Sequence, residues 1–183
     1  MRETESRLSR RGALAAGVAG AAALATLPHG VRAQHPPVIQ SGGGIAGGGA
    51  IALTNGDRVV FSVFGSRFVT EDANSPVILG NLLVTSAGGR QLASVEVTDY
   101  APVEGEENAR QMTGFASVDG EGRLPFTLKL VDGGAPGAGK DMVQLGVESD
   151  PEGATPAADA NAWNIDAALE DGDLQLIDFN LSA

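Results

Sequence analysis

The segment FTLKLVDGGAPGAGKDMVQLGV, from Phe126 to Val147, decides the fold because it sets two alternating apolar runs around one glycine-rich turn. Apolar residues that recur at two-residue spacing predict a strand with one buried face. Two such strands joined through a tight turn form an antiparallel hairpin. The predicted buried face carries Phe126, Leu128 and Leu130 in the first strand and Val143, Leu145 and Val147 in the second.

The turn itself, GAPGAGKD at 134–141, differs from the nucleotide-binding pattern G-x-x-x-x-G-K-[ST] only at Asp141. A working loop of that kind follows a buried parallel strand and opens a helix whose amides hold the phosphates. Here the flanking runs alternate as antiparallel strands do, and Asp141 would repel a phosphate. We therefore interpret the segment as a hairpin loop, with Asp132 and Asp141 placed to accept hydrogen bonds from loop amides.

Short β-branched and apolar runs bounded by Gly, Asn, Asp or Pro fill the rest of the chain from residue 50 onward. This spacing predicts an all-β fold, a single antiparallel β-sandwich or barrel-like domain of about eight strands over 50–183. Residues 34–49, with paired prolines and two glycine triplets, are predicted to be a flexible lead-in. Hairpin turns are expected at VDGEGR (118–123) and EDGD (170–173), and a loop with at most one helical turn at 154–169.

The first 33 residues have the composition of an export signal. A charged start with Arg10-Arg11 precedes an Ala/Gly/Leu run from Gly12 to Leu27, and Val31-Arg32-Ala33 provides a small-residue cleavage site. Arg10-Arg11 after Ser9 resembles the twin-arginine signal. An ordinary secretory signal and a membrane anchor are the alternatives, although the apolar run is shorter than the ~20 residues of a spanning helix. We expect a periplasmic, envelope or extracellular protein with no membrane insertion after cleavage.

Charge and cysteine content exclude several functions. The leader holds five of the 12 basic and two of the 23 acidic residues, which leaves a net charge of −14 on the other 150 residues. Nucleic-acid binding requires clustered Lys and Arg, so no nucleic-acid partner is expected. The chain has no cysteine, which excludes disulfides, thiolate metal sites and cysteine nucleophiles. A cell-surface polysaccharide or protein remains the expected kind of partner.

Neighbouring carboxylates are candidates for metal ligands or for an acid–base pair. The segment DANAWNIDAALE places Asp159, Asn161 and Glu170 at positions 1, 3 and 12 of a calcium loop, but Trp163 and Asn164 stand where a ligand and the turn glycine belong. These three residues are the metal-ligand candidates. Three groups of neighbouring carboxylates, Glu71-Asp72, Asp150 with Glu152, and Glu170-Asp171 with Asp173, would suit a hydrolase only if two carboxylates met in a cleft.

Catalytic and ligand-binding side chains are otherwise few. The only histidine beyond the leader is His35, so neither a Ser/His/Asp triad nor a three-histidine zinc site can be assembled. No catalytic residue and no cofactor is predicted. Trp163 lies in a polar segment and is the one candidate for a sugar-binding platform, the alternative being a ring that fills the end of the core.

The hairpin segment also carries a family resemblance. An apolar strand, the turn DGGAPGAG followed by Asp141, and a second apolar strand resemble the post-COAP domain, a small secreted bacterial module. SGGGI (41–45), GNLLV (80–84) and MTGFASVDGEG (112–122) support the resemblance. It departs from the family pattern at Gly133, where Asn is usual, at an acidic insertion around 104–108, and at the loop 150–169. The resemblance implies a secreted all-β module without assigned catalytic residues.

These observations lead to one expectation and two alternatives. We expect an exported, non-catalytic all-β module with a structural or binding role at the cell envelope or outside the cell. The alternatives are a carbohydrate- or matrix-binding module that uses Trp163 and the 150–169 loop, and a carboxylate-based hydrolase.

Overall fold

The fold is a single antiparallel sheet of nine strands. A computed structural model describes residues 38–53, 56–71, 75–134, 140–149 and 162–180, all within one compact unit at 37–183. The strands are β1 (Ile39–Ala52), β2 (Arg58–Thr70), β3 (Val77–Ser86), β4 (Gln91–Val103), β5 (Glu106–Val118), β6 (Glu121–Val131), β7 (Met142–Val147), β8 (Ile165–Ala168) and β9 (Asp171–Asn180). The described residues contain no helix.

The strand order is β8-β7-β6-β5-β4-β3-β2-β1-β9, so the chain runs as a meander until its last strand. Strand β9 does not pair with β8, which precedes it by two residues, but crosses to the opposite edge and pairs with β1. Those two edges must therefore approach each other, and the sheet curls into a half-barrel. The all-β prediction is confirmed, with nine strands in one sheet rather than about eight.

The core lies on the concave face of this sheet. The buried face predicted for each strand of the Phe126–Val147 segment is confirmed, since the six inward side chains are all buried. The predicted antiparallel pairing is confirmed as well, because β6 pairs with β7 from Val131↔Met142 to Phe126↔Val147. The other strands add apolar side chains at the same two-residue spacing. The largest fully buried ones include Ile45, Ile51, Leu82, Leu92, Met112 and Leu174.

The two predicted hairpin turns differ in outcome. Asp119 and Gly120 join β5 to β6 with φ angles of 53° and 84°, the left-handed pair that a two-residue hairpin requires. The prediction at 170–173 is wrong. Gly172 does have a φ of 113°. However, β8 pairs with β7 at one edge of the sheet and β9 pairs with β1 at the other, so the turn connects the two edges and does not form a hairpin.

Two strands occur where the sequence predicted none. The flexible lead-in predicted at 34–49 is wrong from Ile39 onward, since that stretch is β1, which pairs with both β2 and β9. Its glycines lack the side chains that reveal alternation, and they are needed because neighbouring backbones come close. A Cβ on Gly47 would lie 2.1 Å from the Asp173 carbonyl oxygen. Strand β8 likewise lies within the predicted loop 154–169, and the domain begins before residue 50.

Candidate binding pocket at the open end of the sheet

The sequence-predicted metal ligands are not brought together in the described structure. Asp159 and Asn161 lie outside the described residues, and the exposed Glu170 carboxylate forms an ion pair with Arg58 at 3.7 Å. Among the residues that the structure describes, no group of three or more acidic or histidine side chains could hold a metal ion.

Trp163 lies in the hydrophobic core. Its side chain is 4% exposed and belongs to the same buried cluster as Ile165 and Leu169. The indole Nε1 has no hydrogen-bond partner. A ring in this position fills the end of the core and does not present a face to a sugar in solvent.

The glycine-rich turn shows how its two carboxylates are used. Asp141 accepts the Gly133 amide through Oδ1 at 2.8 Å, and Asp132 accepts the Gly134 amide through Oδ1 at 2.8 Å. The predicted role as acceptors for loop amides is therefore confirmed. The antiparallel pairing of β6 and β7 also lacks the parallel-strand and helix context of a phosphate loop.

Each of these carboxylates also holds the last strand. Through Oδ2, Asp141 accepts the Leu174 amide at 2.7 Å and Asp132 accepts the Leu176 amide at 3.0 Å. Strand β9 thus gains side-chain acceptors on the edge that faces away from β1. The two carboxylates tie β9 to the β6–β7 hairpin where no backbone ladder joins them.

Along β9, the concave face is apolar at Leu174 and polar at Asp178, where the sheet forms a pocket. We call this the Arg110 pocket, a cavity of about 470 Å³ whose walls include Gly43, Arg67, Tyr100, Arg110 and Asp178. The register explains how three of them meet, since Gly43 pairs with Arg67 on one side and with Asp178 on the other. Arg110 comes from β5, across the curl of the sheet.

Arg110 forms the floor of the pocket. Its side chain is 6% exposed, although it carries a charge. Nη1 donates to the carbonyl oxygens of Glu107 and Ala109 at 2.9 and 2.8 Å, and Nη2 donates to the Asp178 carboxylate. A buried charge is tolerated only when it is paired and hydrogen-bonded, and these bonds fix the guanidinium in one orientation.

Tyr100 adds a second polar group to the floor. The residue is 2% exposed, and its hydroxyl has no hydrogen-bond partner in the structure. Burial raises the pKa of this hydroxyl well above its ordinary value of 10.0. The Arg110 charge partly opposes the rise, the Asp178 charge adds to it, and a weak hydrogen-bonding interaction of Arg110 with the hydroxyl oxygen, outside normal hydrogen-bond geometry, lowers it a little. The ring fits because Gly65 lies against it, where a Cβ would come within 2.8 Å of Cδ2.

The rim of the pocket is open and partly apolar. Arg67 is exposed and forms no ion pair with any residue that the structure describes. Val69 (40% exposed) and Pro102 supply apolar surface beside it. Two arginines against one aspartate give the pocket a formal charge of +1 on a chain of net charge −11. Its volume lies in the range of small-molecule sites.

A second concavity of about 470 Å³ lies along β7 and β8 and contains two carboxylates, Glu148 and Asp166. Both residues are exposed, and Asp166 accepts a hydrogen bond from Gln144 at 3.1 Å. A carboxylate pair that works as acid and base needs two environments that separate its pKa values, commonly by burying one member. Their shared exposure gives no such contrast.

Comparisons with known proteins leave the site to be interpreted from its own chemistry. No protein-family model, curated protein or solved structure matches the chain. Within the described residues, no helix has the length and apolar character needed to cross a lipid bilayer.

The residues of the Arg110 pocket were not singled out by the sequence patterns. One local signal exists: Arg110 precedes Met112, Gly114 and Ala116 at two-residue spacing, which places a charge on the buried face of β5. Its partner Asp178 is 68 residues away, and only the crossing of β9 brings the two together.

Proposed function

We propose that this protein is an exported, non-catalytic all-β module whose role is to bind a small ligand, or a small group on a larger partner, in the Arg110 pocket. The observation that carries the proposal is a concave site with a buried guanidinium and a buried, unpartnered hydroxyl on its floor. Leaving such a group without a partner costs about 1–3 kcal/mol. A ligand that accepts or donates a hydrogen bond there would recover part of that cost.

Binding can be tested by amide-resolved NMR and thermal shift on the full chain. The screen uses neutral, anionic and cationic small molecules together with soluble polysaccharides. The proposal expects at least one class to shift the amide resonances of Gly42, Gly43 and Arg110 saturably. A screen in which every class leaves these resonances unmoved would contradict binding in the Arg110 pocket. Conversion of any of the compounds to a product would contradict the non-catalytic part of the proposal.

Export is the second part of the proposal and rests on the composition of residues 1–33. Replacing Arg10 and Arg11 with lysine is expected to retain the precursor in the cytoplasm if the twin-arginine route is used. Cell fractionation with antibody detection measures the distribution. Undiminished export of the Lys-Lys variant would exclude that route, and cytoplasmic accumulation of the unmodified chain would contradict export altogether.

The resemblance to the post-COAP domain is compatible with this proposal. The glycine-rich turn that carries the resemblance in this chain contains Asp132 and Asp141, which hold β9. The Arg110 pocket uses other residues. We therefore propose that the shared turn is a structural element of such a module and that ligand recognition lies elsewhere.

A further inference from the structure

The Arg110 pocket already holds a carboxylate of its own chain. The Asp178 carboxylate bonds to Nη2 of Arg110, yet the Asp178 side chain is 58% exposed. Strand β9 therefore presents this group from the solvent side of the pocket. A planar guanidinium matches a carboxylate closely, so Asp178 shows which chemical group the floor accepts.

Hydrogen-bond donors in the pocket outnumber the acceptors that Asp178 provides. A guanidinium has five N–H donors, of which the backbone carbonyls and Asp178 occupy three on Arg110. The Tyr100 hydroxyl is unpartnered, and the Arg67 guanidinium forms no described ion pair. One further carboxylate would meet these donors and neutralise the remaining formal charge of +1.

The rest of the lining suits an uncharged, apolar body. Val69 and Pro102 stand on the rim. Gly43 has no side chain, and the Asp178 carboxylate lies against it, with Oδ1 2.1 Å from the position that a Cβ would take. Inorganic phosphate or sulfate would leave this apolar surface uncovered and would bring two negative charges to a pocket with one positive charge in excess. The lining favours a monocarboxylate carried on a short apolar chain or ring.

We infer that the Arg110 pocket is a binding site for small monocarboxylates, with Arg67, Tyr100 and Arg110 holding the carboxylate and Val69 and Pro102 contacting the apolar body. This inference rests on the proposed binding function and specifies its ligand class. The Asp178 carboxylate keeps its bond to Arg110 when the ligand binds, and its negative charge opposes a second carboxylate in the same pocket.

The test is a titration of the full chain with sodium hexanoate, followed by amide-resolved NMR. Hexanamide has the same shape without the charge, hexylamine reverses the charge, and inorganic phosphate and sulfate carry charge without the apolar body. The expected result is saturable shifts at Gly42, Gly43 and Arg110 with hexanoate, and binding at least about tenfold weaker for the amide, since charge-assisted bonds are the stronger ones.

Three variants identify the groups that hold the ligand. Arg67→Gln and Tyr100→Phe should each weaken hexanoate binding, by about tenfold and about threefold to tenfold respectively. Asp178→Asn removes the opposing negative charge and should tighten it. The matched control is Arg58→Gln, the same change on the same strand but on the opposite face, where Arg58 meets Glu170; hexanoate binding should not change.

Several outcomes overturn the inference. If hexanamide or hexylamine binds the pocket as well as hexanoate does, carboxylate recognition fails while the binding function stands. Equal affinity for phosphate or sulfate would show a general anion site. Unchanged binding in both Arg67→Gln and Tyr100→Phe would remove the assigned groups. If hexanoate does not move the pocket amides, the ligand class is wrong; the proposed function falls only if the wider screen also fails.

Discussion

Asp141 binds Leu174 across a gap that no strand pairing closes. The Leu174 amide donates to Oδ2 at 2.7 Å, and Oδ1 of the same carboxylate accepts the Gly133 amide at 2.8 Å. Asp141 and its bond to the Leu174 amide are buried, so that amide does not have water as an alternative partner. One side chain thus stabilises both the glycine-rich turn and the position of β9.

Replacing Asp141 with asparagine should therefore destabilise the protein. An amide keeps only one acceptor oxygen, so one of the two backbone N–H groups would be left without a partner at a cost of about 1–3 kcal/mol. Urea unfolding measures the loss. Glu148→Gln, an exposed change at the other end of β7, is the control and should stay within about 0.5 kcal/mol. Equal stability of the two variants would show that Asp141 does not hold β9.

The hairpin from Phe126 to Val147 could be predicted because its physics is local. Each inward side chain is two residues from the next, and only residues 132–141 join the two strands, so the alternation by itself indicates which face is buried. The same reasoning placed the turn at Asp119-Gly120, where the backbone angles depend on only two residues.

Strand β1 and the Arg110 pocket could not be predicted in this way. Glycine carries no side chain to show which face is buried, so β1 resembled a linker in composition. Arg110 and Asp178 meet only because β9 leaves the meander and joins β1. That choice of edge depends on contacts between residues far apart in the chain, such as those of Asp132 and Asp141 with β9.

The close approach of β1 and β9 makes Gly47 intolerant of a side chain. Gly47 has a φ of 156°, and a Cβ there would lie 2.1 Å from the Asp173 carbonyl oxygen and 3.0 Å from the Leu174 Cα. Gly47→Ala should force the two backbones apart and lower the free energy of unfolding by about 1–3 kcal/mol. Thermal and urea unfolding measure the effect.

Gly88→Ala provides the matched control for this prediction. The nearest atom to a Cβ at Gly88 is the Ser86 Oγ at 3.8 Å, and Gly88 does not have a positive φ. The alanine should be neutral or stabilising by about 0.4–1 kcal/mol, because it restricts the unfolded chain. A Gly47→Ala protein as stable as Gly88→Ala would contradict the packing of β9 against β1.

The ionised Asp119 carboxylate should stabilise the folded protein, and this stabilisation should be lost in acid. The Gln91 amide and the Arg90 guanidinium both donate to its carboxylate, at 2.8 and 3.0 Å, and they hold the pKa of Asp119 below its ordinary value of 3.8. The folded state therefore prefers the ionised form. Its contribution to stability is complete above pH 3.8 and disappears as the pH falls through the lower, folded pKa.

Asp119→Asn isolates this effect because asparagine also accepts the left-handed angle and keeps one acceptor for Gln91. Between pH 5 and pH 2, as an approximate window set by the ordinary carboxyl pKa, the variant should lose less stability than the unmodified protein. Urea unfolding across that range gives the two slopes. Identical slopes would mean that Asp119 is not stabilised in its ionised form.

Tyr100 offers a direct spectroscopic test of the pocket floor, because it is the only tyrosine in the chain. Desolvation raises the pKa of its hydroxyl above 10.0 in the folded protein, so tyrosinate absorbance should appear near pH 10 in denaturant but only at higher pH when folded. The neutral form is favoured by folding. Stability should therefore be unaffected below pH 10 and fall as the pH rises beyond it. Ionisation of the folded protein at the ordinary pH would place the hydroxyl in solvent and remove it from the floor of the Arg110 pocket.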